Sequence, residues 1–218
     1  RVAMHYDGTS RDAGFYERAS HTLVPPGLCP IAMEPVTRLL EPARLAMAGS
    51  GFPGTAECEI VAAADGRCVA VVTSDRGDVS RLHRAVSTID GISGVMSRGR
   101  AGRWQTAGDR SIDWPTAGLP GQVTRMQVDP RGFTQAHMAM NPYLVDLVIS
   151  MAAPSVDGAK VVELYAGAGN ITVPLAMRGA RVFATDINAP AIAAGARECL
   201  KRGLHVDSAA GPATLVLS

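Results

Sequence analysis

Apolar and polar residues follow two different periods along this chain. In roughly its first half the period is mostly two, the pattern of half-buried strands. Val2-x-Met4-x-Tyr6 alternates and runs into the turn Asp7-Gly8. Residues 14–16 and 22–24 read as further short strands, and Pro25-Pro26-Gly27 then breaks the ladder ahead of Cys29-Pro30. Over 35–48 the spacing becomes helical, with Leu39, Leu40, Ala43 and Met47 on one face. Residues 57–63 and 68–73 form the arms of a hairpin about Asp65-Gly66. A helix over 79–87 turns Leu82 and Val86 inward, and strands follow over 91–97 and 104–106. Between them the loop 98–103 carries Arg98, Arg100 and Arg103. On sequence alone it reads first as a solvated turn, with phosphate contact as the sharper alternative.

Residues 114–121 look like a linker, and beyond them strand and helix alternate. Residues 123–128 form a strand, and Asp129-Pro130-Arg131-Gly132 turns into Phe133-Thr134-Gln135. Asn141-Pro142 suits a helix start, with Asn141 as N-cap and proline at the first helical position. The apolar stripe of that helix is Leu144, Val145, Leu147, Val148 and Met151, with Pro154 just past its end. Residues 190–202 make another helix closed by Gly203, and a third strand begins within 205–209.

Residues 161–186 carry the most chemistry. Val161, Val162 and Leu164 are a short apolar run, as in a strand buried on both faces of a parallel sheet. Gly167 and Gly169 make a tight turn that lets backbone approach a ligand. A helix over 170–178 stops at Gly179, and a second apolar strand ends at Asp186. A dinucleotide fingerprint would need a third glycine where Thr172 stands. An acid on the first strand, Glu163, then Gly-x-Gly, then Asp186 suits S-adenosylmethionine better than a nicotinamide cofactor or a ligand-free βαβ unit. Asp186 would accept hydrogen bonds from the ribose hydroxyls. Taken singly, Gln135 could bond a ligand or cap a turn, Tyr165 could be core, and Asn170 could be a plain N-cap.

Composition narrows the setting. The chain has 218 residues and a net charge of +1, so no global field draws it to nucleic acid and any such binding needs a local patch. No apolar run of membrane-spanning length occurs, and the start does not look like a signal peptide. Because the first residue is Arg1, the expectation is a fragment beginning inside a longer protein. A two-residue hairpin turn would pair Ala63 with Cys68 and Cys58 with Thr73. The two cysteines would then face opposite sides of the ribbon, which argues against a disulfide. Reduced thiols and a cytoplasmic location fit best.

Four segments resemble the RNA uracil-5 methyltransferases, most of all the iron–sulfur branch that acts on 23S ribosomal RNA. They are Gly14-Phe15-Tyr16 with Ser20-His21 and Leu28-Cys29-Pro30; residues 89–95; Gly132-Phe133-x-Gln135 followed by Asn141; and Glu163-Leu164-Tyr165-x-Gly167-x-Gly169-Asn170. The resemblance implies an α/β chain in which a partial Rossmann-like class I methyltransferase domain, 121–218, follows an α+β, β-rich central domain, 1–120. It implies cofactor contacts from Gln135, Tyr165, Asn170 and Asp186, beside Glu163, Gly167 and Gly169. It also makes Cys29 a ligand of a 4Fe-4S cluster in the full-length protein. The implied partner is ribosomal RNA, met by a monomer without a membrane. The family's Ser-Cys-Asn-Pro nucleophile loop and its Asp-Pro-Pro or Asp-Pro-Ala loop are absent from the sequence. Cys199 falls inside a helix and reads as a packing residue. The chain is therefore expected to hold the cofactor half of a site without a catalytic cysteine or base, and not to methylate alone. The tRNA enzymes and a non-catalytic RNA-binding module with a relict cofactor fold are the alternatives.

Overall fold

A computed structural model describes residues 1–152 and 155–216. The chain divides into two compact units, 1–112 and 113–218.

Unit 1 is a mixed sheet with two helices. Its elements are β1 (Val2–Asp7), β2 (Asp12–Tyr16), β3 (Leu23–Val24), α1 (Glu34–Gly49), β4 (Thr55–Ala62), β5 (Cys68–Ser74), α2 (Ser80–Ser87), β6 (Ile92–Arg98) and β7 (Gln105–Gly108). The order across the sheet is β3-β2-β1-β4-β5-β6-β7. All pairs are antiparallel except β5–β6, whose parallel pairing requires the crossover that α2 supplies. Alternation places Met4, Tyr6, Cys58, Ile60 and Val72 on one face. There they pack with Val36, Leu40 and Met47 of α1 and Leu82 and Val86 of α2. Each large side chain so buried stabilises the unit by about 1.5–3 kcal/mol. The Tyr6 hydroxyl, buried with this core, donates to the Phe52 carbonyl at 2.8 Å.

The hairpin differs from expectation by one residue. Cys58 pairs with Val72 and Ala62 with Cys68, because Ala63 N–H bonds the Arg67 carbonyl across a three-residue turn. Gly66, at φ +86°, takes the left-handed position that such a turn requires. With that register the two cysteines share the core face rather than opposing ones. Four residues of ladder, about 13 Å, still separate them, so both remain free thiols.

Unit 2 opens with a second correction. The expected linker is strand β8 (Ile112–Ala117), paired with β9 (Val123–Val128). Ile112, Trp114 and Thr116 are buried at alternate positions, and Pro115 is tolerated because this two-stranded ribbon has free edges. The remaining elements are α3 (Asn141–Ala152), β10 (Lys160–Leu164), α4 (Thr172–Met177), β11 (Arg181–Asp186), α5 (Ala189–Lys201) and β12 (Asp207–Ala210). Strands β10, β11 and β12 lie parallel in that order. Val145, Ile149, Leu175, Val182, Ala184 and Ile192 form the core. Arg178 binds this frame together, donating to the Gly118 carbonyl at 2.9 Å and to Asp146 at 2.5 Å.

Three further readings change. Among the described residues β10 pairs only with β11, and Val162 is 57% exposed, so this strand is an edge rather than buried on both faces. Asn141 is helical and does not cap α3; a 3-10 turn (Met138–Met140) precedes it, and His137 accepts from Met140 N–H there. The face α3 buries runs along Asn141, Val145 and Ile149, whereas Leu144, Leu147, Val148 and Met151 are exposed. A helix apolar all round gives no period from which to choose its inner face. Pro154 lies outside the described residues. Ile149→Ala should therefore cost about 2–4 kcal/mol, and Met151→Ala no more than about 0.5 kcal/mol. Urea unfolding of the two variants compares them directly.

Candidate functional site

The parallel register brings the tips of β10 and β11 side by side, with Leu164 opposite Thr185. From there the chain turns sharply. Tyr165 sits at φ +58°, a left-handed backbone that a bulky residue rarely adopts. Gly167 and Gly169 follow at φ +57° and +89°. Gly167 N–H donates to Asp186 Oδ2 at 2.8 Å, and Asn188 N–H donates to Asp186 Oδ1 at 2.8 Å. The carboxylate is thus held by backbone on both oxygens, each of which keeps a lone pair for another donor.

The other acid stands differently. Glu163 accepts from the Thr172 hydroxyl, and burial pushes its carboxyl up to about 7. Asn170 does not cap α4. Its side chain exchanges hydrogen bonds with Asn141, Nδ2 to Oδ1 at 2.8 and 2.9 Å in the two directions. Asn141 Nδ2 also reaches the Pro115 carbonyl at 2.8 Å, and the Thr116 hydroxyl donates to the Asn170 carbonyl at 2.9 Å. Asn141 is 1% exposed.

These groups enclose a cavity of about 280 Å³. Gln135, Glu163, Tyr165, Gly167, Asn170 and Asp186 all line it. Gly169 does not; it lies against α5, where its added Cβ would come 3.3 Å from the Gly195 Cα. Cys29 is in unit 1 beside α1, its N–H and carbonyl both bonded to the Thr37 hydroxyl. Sequence reasoning missed Trp114, Asn188 and Gly195. Alternation with Ile112 and Thr116 was the available signal for Trp114. None marked Gly195, which sits in a helix as an ordinary small residue.

A family profile described as tRNA (Uracil-5-)-methyltransferase matches residues 119–205. The chain is 30% identical over 201 residues to the 23S rRNA (uracil(1939)-C(5))-methyltransferase RlmD of Halomonas elongata, covering 85% of this chain and 40% of that protein. It is 27% identical to the Shewanella sediminis protein of the same name, over 91% of this chain and 45% of that one. By these matches the chain is similar to the RNA uracil-5-methyltransferases, the profile itself covering residues 119–205. It spans less than half the length of these two relatives. Its fold is also that of Pyrococcus abyssi tRNA (uracil-54, C5)-methyltransferase, solved with S-adenosyl-L-homocysteine. The TM-score is 0.67 at 15% identity, over 95% of this chain and 54% of that one.

Two outcomes test the geometry of this uracil-5-methyltransferase relative. Alanine normally stabilises a helical glycine site by up to about 1 kcal/mol, and Gly49→Ala, with nothing within 4 Å of the added methyl, should behave so. At Gly195 the methyl would meet the Ala168 carbonyl oxygen at 2.9 Å, so Gly195→Ala should reverse the sign and cost about 1–3 kcal/mol. Chemical unfolding of both variants reads the difference. Glu163 holds its proton more tightly folded than unfolded, so its contribution is greatest at low pH and is lost as pH rises from about 4.5 to about 7. Across that window wild-type should lose up to about 3 kcal/mol relative to Glu163→Gln, measured as unfolding free energy against pH.

Proposed function

We propose that unit 2 binds S-adenosylmethionine in the cavity at the tips of β10 and β11, and that the protein acts in methylation of uracil C5 in 23S ribosomal RNA. One observation carries this reading: the two acids and the glycine turn that the sequence singles out for that cofactor surround one hollow. Asp186, fixed by two backbone N–H groups, offers its remaining lone pairs to a ribose diol. Tyr165, 78% exposed, presents an aromatic face, and Gln135 presents an amide with no partner among the described residues. Glu163 and Asn170 complete the wall. Gly169 acts behind the wall, by letting α5 approach. When bound, the cofactor supplies a methyl group activated on a sulfonium centre.

Family chemistry calls for a thiolate to add to uracil C6 and a carboxylate to take the C5 proton. Burial raises Cys58 to about 12 and Cys68 and Cys199 to about 11, so none of these three is a nucleophile at neutral pH. The role assigned to this chain is the cofactor half of the site. A four-iron cluster takes about four thiolates, and Cys29 has no such company. Among the described residues no group of three or more His, Cys, Asp or Glu could hold a metal. Ribosomal RNA is favoured over transfer RNA because the relatives aligned over most of the chain carry the 23S name. No helix among the described residues is long and apolar enough to cross a membrane, and a cytoplasmic monomer is part of the same proposal.

Calorimetry with S-adenosylhomocysteine tests the reading. Asp186→Ala should weaken binding by about 1–3 kcal/mol. Equal binding by the variant, or none by wild-type, would remove its basis.

A further inference from the structure

Eight arginines of unit 1 make no ion pair or side-chain hydrogen bond among the described residues, and four of them, unlike Arg11, Arg18, Arg84 and Arg110, lie together on two adjoining loops. Arg76, Arg98, Arg100 and Arg103 are all exposed. No ion pair or side-chain hydrogen bond to protein engages them, and Arg98 only lies over the Trp104 ring, 4.8 Å from its centroid. Other arginines of the same unit are consumed by carboxylates: Arg1 by Glu59, Arg44 by Asp12 and Glu41, Arg67 by Asp65 and Asp109.

The four are brought together by backbone. Arg100 N–H donates to the Arg76 carbonyl at 2.8 Å, which ties loop 98–103 to loop 75–78. Gly99 makes that approach possible: a Cβ there would lie 2.0 Å from the Gly77 carbonyl oxygen and 2.3 Å from that of Arg76. Gly99 is buried while the arginines on either side of it point their charge to water. The acids of the neighbouring loop are already engaged by neutral donors, Asp75 by the Thr55 hydroxyl and Asp78 by Ser80 N–H. Four guanidiniums against two carboxylates leave a local positive field in a chain of net charge +1.

We infer that loops 75–78 and 98–103 form an RNA-backbone-binding surface, on which Arg76, Arg98, Arg100 and Arg103 take successive phosphates. Guanidinium suits this task because its planar fork meets phosphate oxygens two at a time. Docking one loop on the other fixes the spacing in advance, so little order has to be imposed on binding. Trp104 adds an aromatic ring beneath Arg98, whose Cζ lies 4.8 Å from the ring centroid. A solvated turn, the first reading of 98–103, has no need of a buried glycine pressed onto a second arginine loop. The choice of RNA as the polyanion rests on the proposed function; the surface itself does not involve the cofactor cavity.

The test is fluorescence anisotropy of the full chain with a labelled single-stranded RNA 20-mer, from 50 to 300 mM KCl. Each phosphate contact contributes about 0.7 to the slope of log affinity against log salt on single strands. R76Q/R98Q/R100Q/R103Q should flatten the slope by about two or more and weaken binding at least tenfold at low salt. The matching set of lysine substitutions should keep most of the slope. Removing the same charge elsewhere, in R38Q/R84Q/R181Q/R197Q, should leave it. An unchanged slope in the first variant, an equal loss in the control set, or no RNA binding by wild-type would each overturn the inference. So would loss of binding to phosphatidylserine vesicles with RNA binding intact. Homocysteine-cofactor calorimetry on the same variant keeps the two proposals apart: normal S-adenosylhomocysteine binding with a flattened RNA slope supports the surface. A flattened slope in a chain that binds no cofactor supports it too, while removing the cofactor reading.

Discussion

The site hangs on two side-chain amides that trade hydrogen bonds. Asn141, at the first turn of α3, and Asn170, in the glycine loop, each give one N–H and accept one. Through the same two residues the loop is tied to β8, by the Pro115 carbonyl on one side and the Thr116 hydroxyl on the other. Neutral hydrogen bonds contribute only about 1 kcal/mol apiece, but a buried amide stripped of its partner costs more, about 1–3 kcal/mol. Four such bonds converge on a pair of residues of which one is almost wholly out of water. That makes the loop position all-or-none: hairpin, helix and turn are in place together or not at all. The glycine-to-glycine contact of Gly169 with Gly195 closes the opposite side of the same loop, so α5 and the turn are likewise set by each other.

With the loop held, its two acids are given unlike surroundings. Asp186 is stationed by main-chain N–H groups at the wall of the hollow. Glu163 is drawn under the loop, where loss of water raises its proton affinity and the Thr172 hydroxyl only partly offsets the cost. Two carboxylates an element apart in sequence therefore offer a bound molecule one fixed anion and one group that can be neutral.

Much of this was legible beforehand where a local rule decides. Alternation gave β1, the Asp65-Gly66 turn signal gave the arms β4 and β5, clean helical spacing gave α1 and α2, and the glycines with their flanking acids gave the cavity. What was not legible depends on partners far along the chain. The single extra residue in the hairpin came from Gly66 accepting a left-handed turn, which moved every pairing by one and put both cysteines on the core side. Pro115 looked like part of a linker because, although 123–128 reads as a strand, nothing local shows that it pairs with 112–117. Asn141 resembles an N-cap in every local respect, yet its amide is spent on residues 26 and 29 positions away. The apolar run of α3 misled for the opposite reason, offering too many candidate faces rather than too few.

The chain has two tryptophans, and the division of the fold gives one to each unit. Trp114 forms part of the cavity wall at 4% exposure, while Trp104 lies under a guanidinium at the rim of unit 1. An indole buried beside a hollow changes its emission when the hollow fills, and one beneath a cation changes when that cation is drawn off. The molecule thus carries its own pair of optical reporters, one for each half, and light alone can follow the two halves without any label.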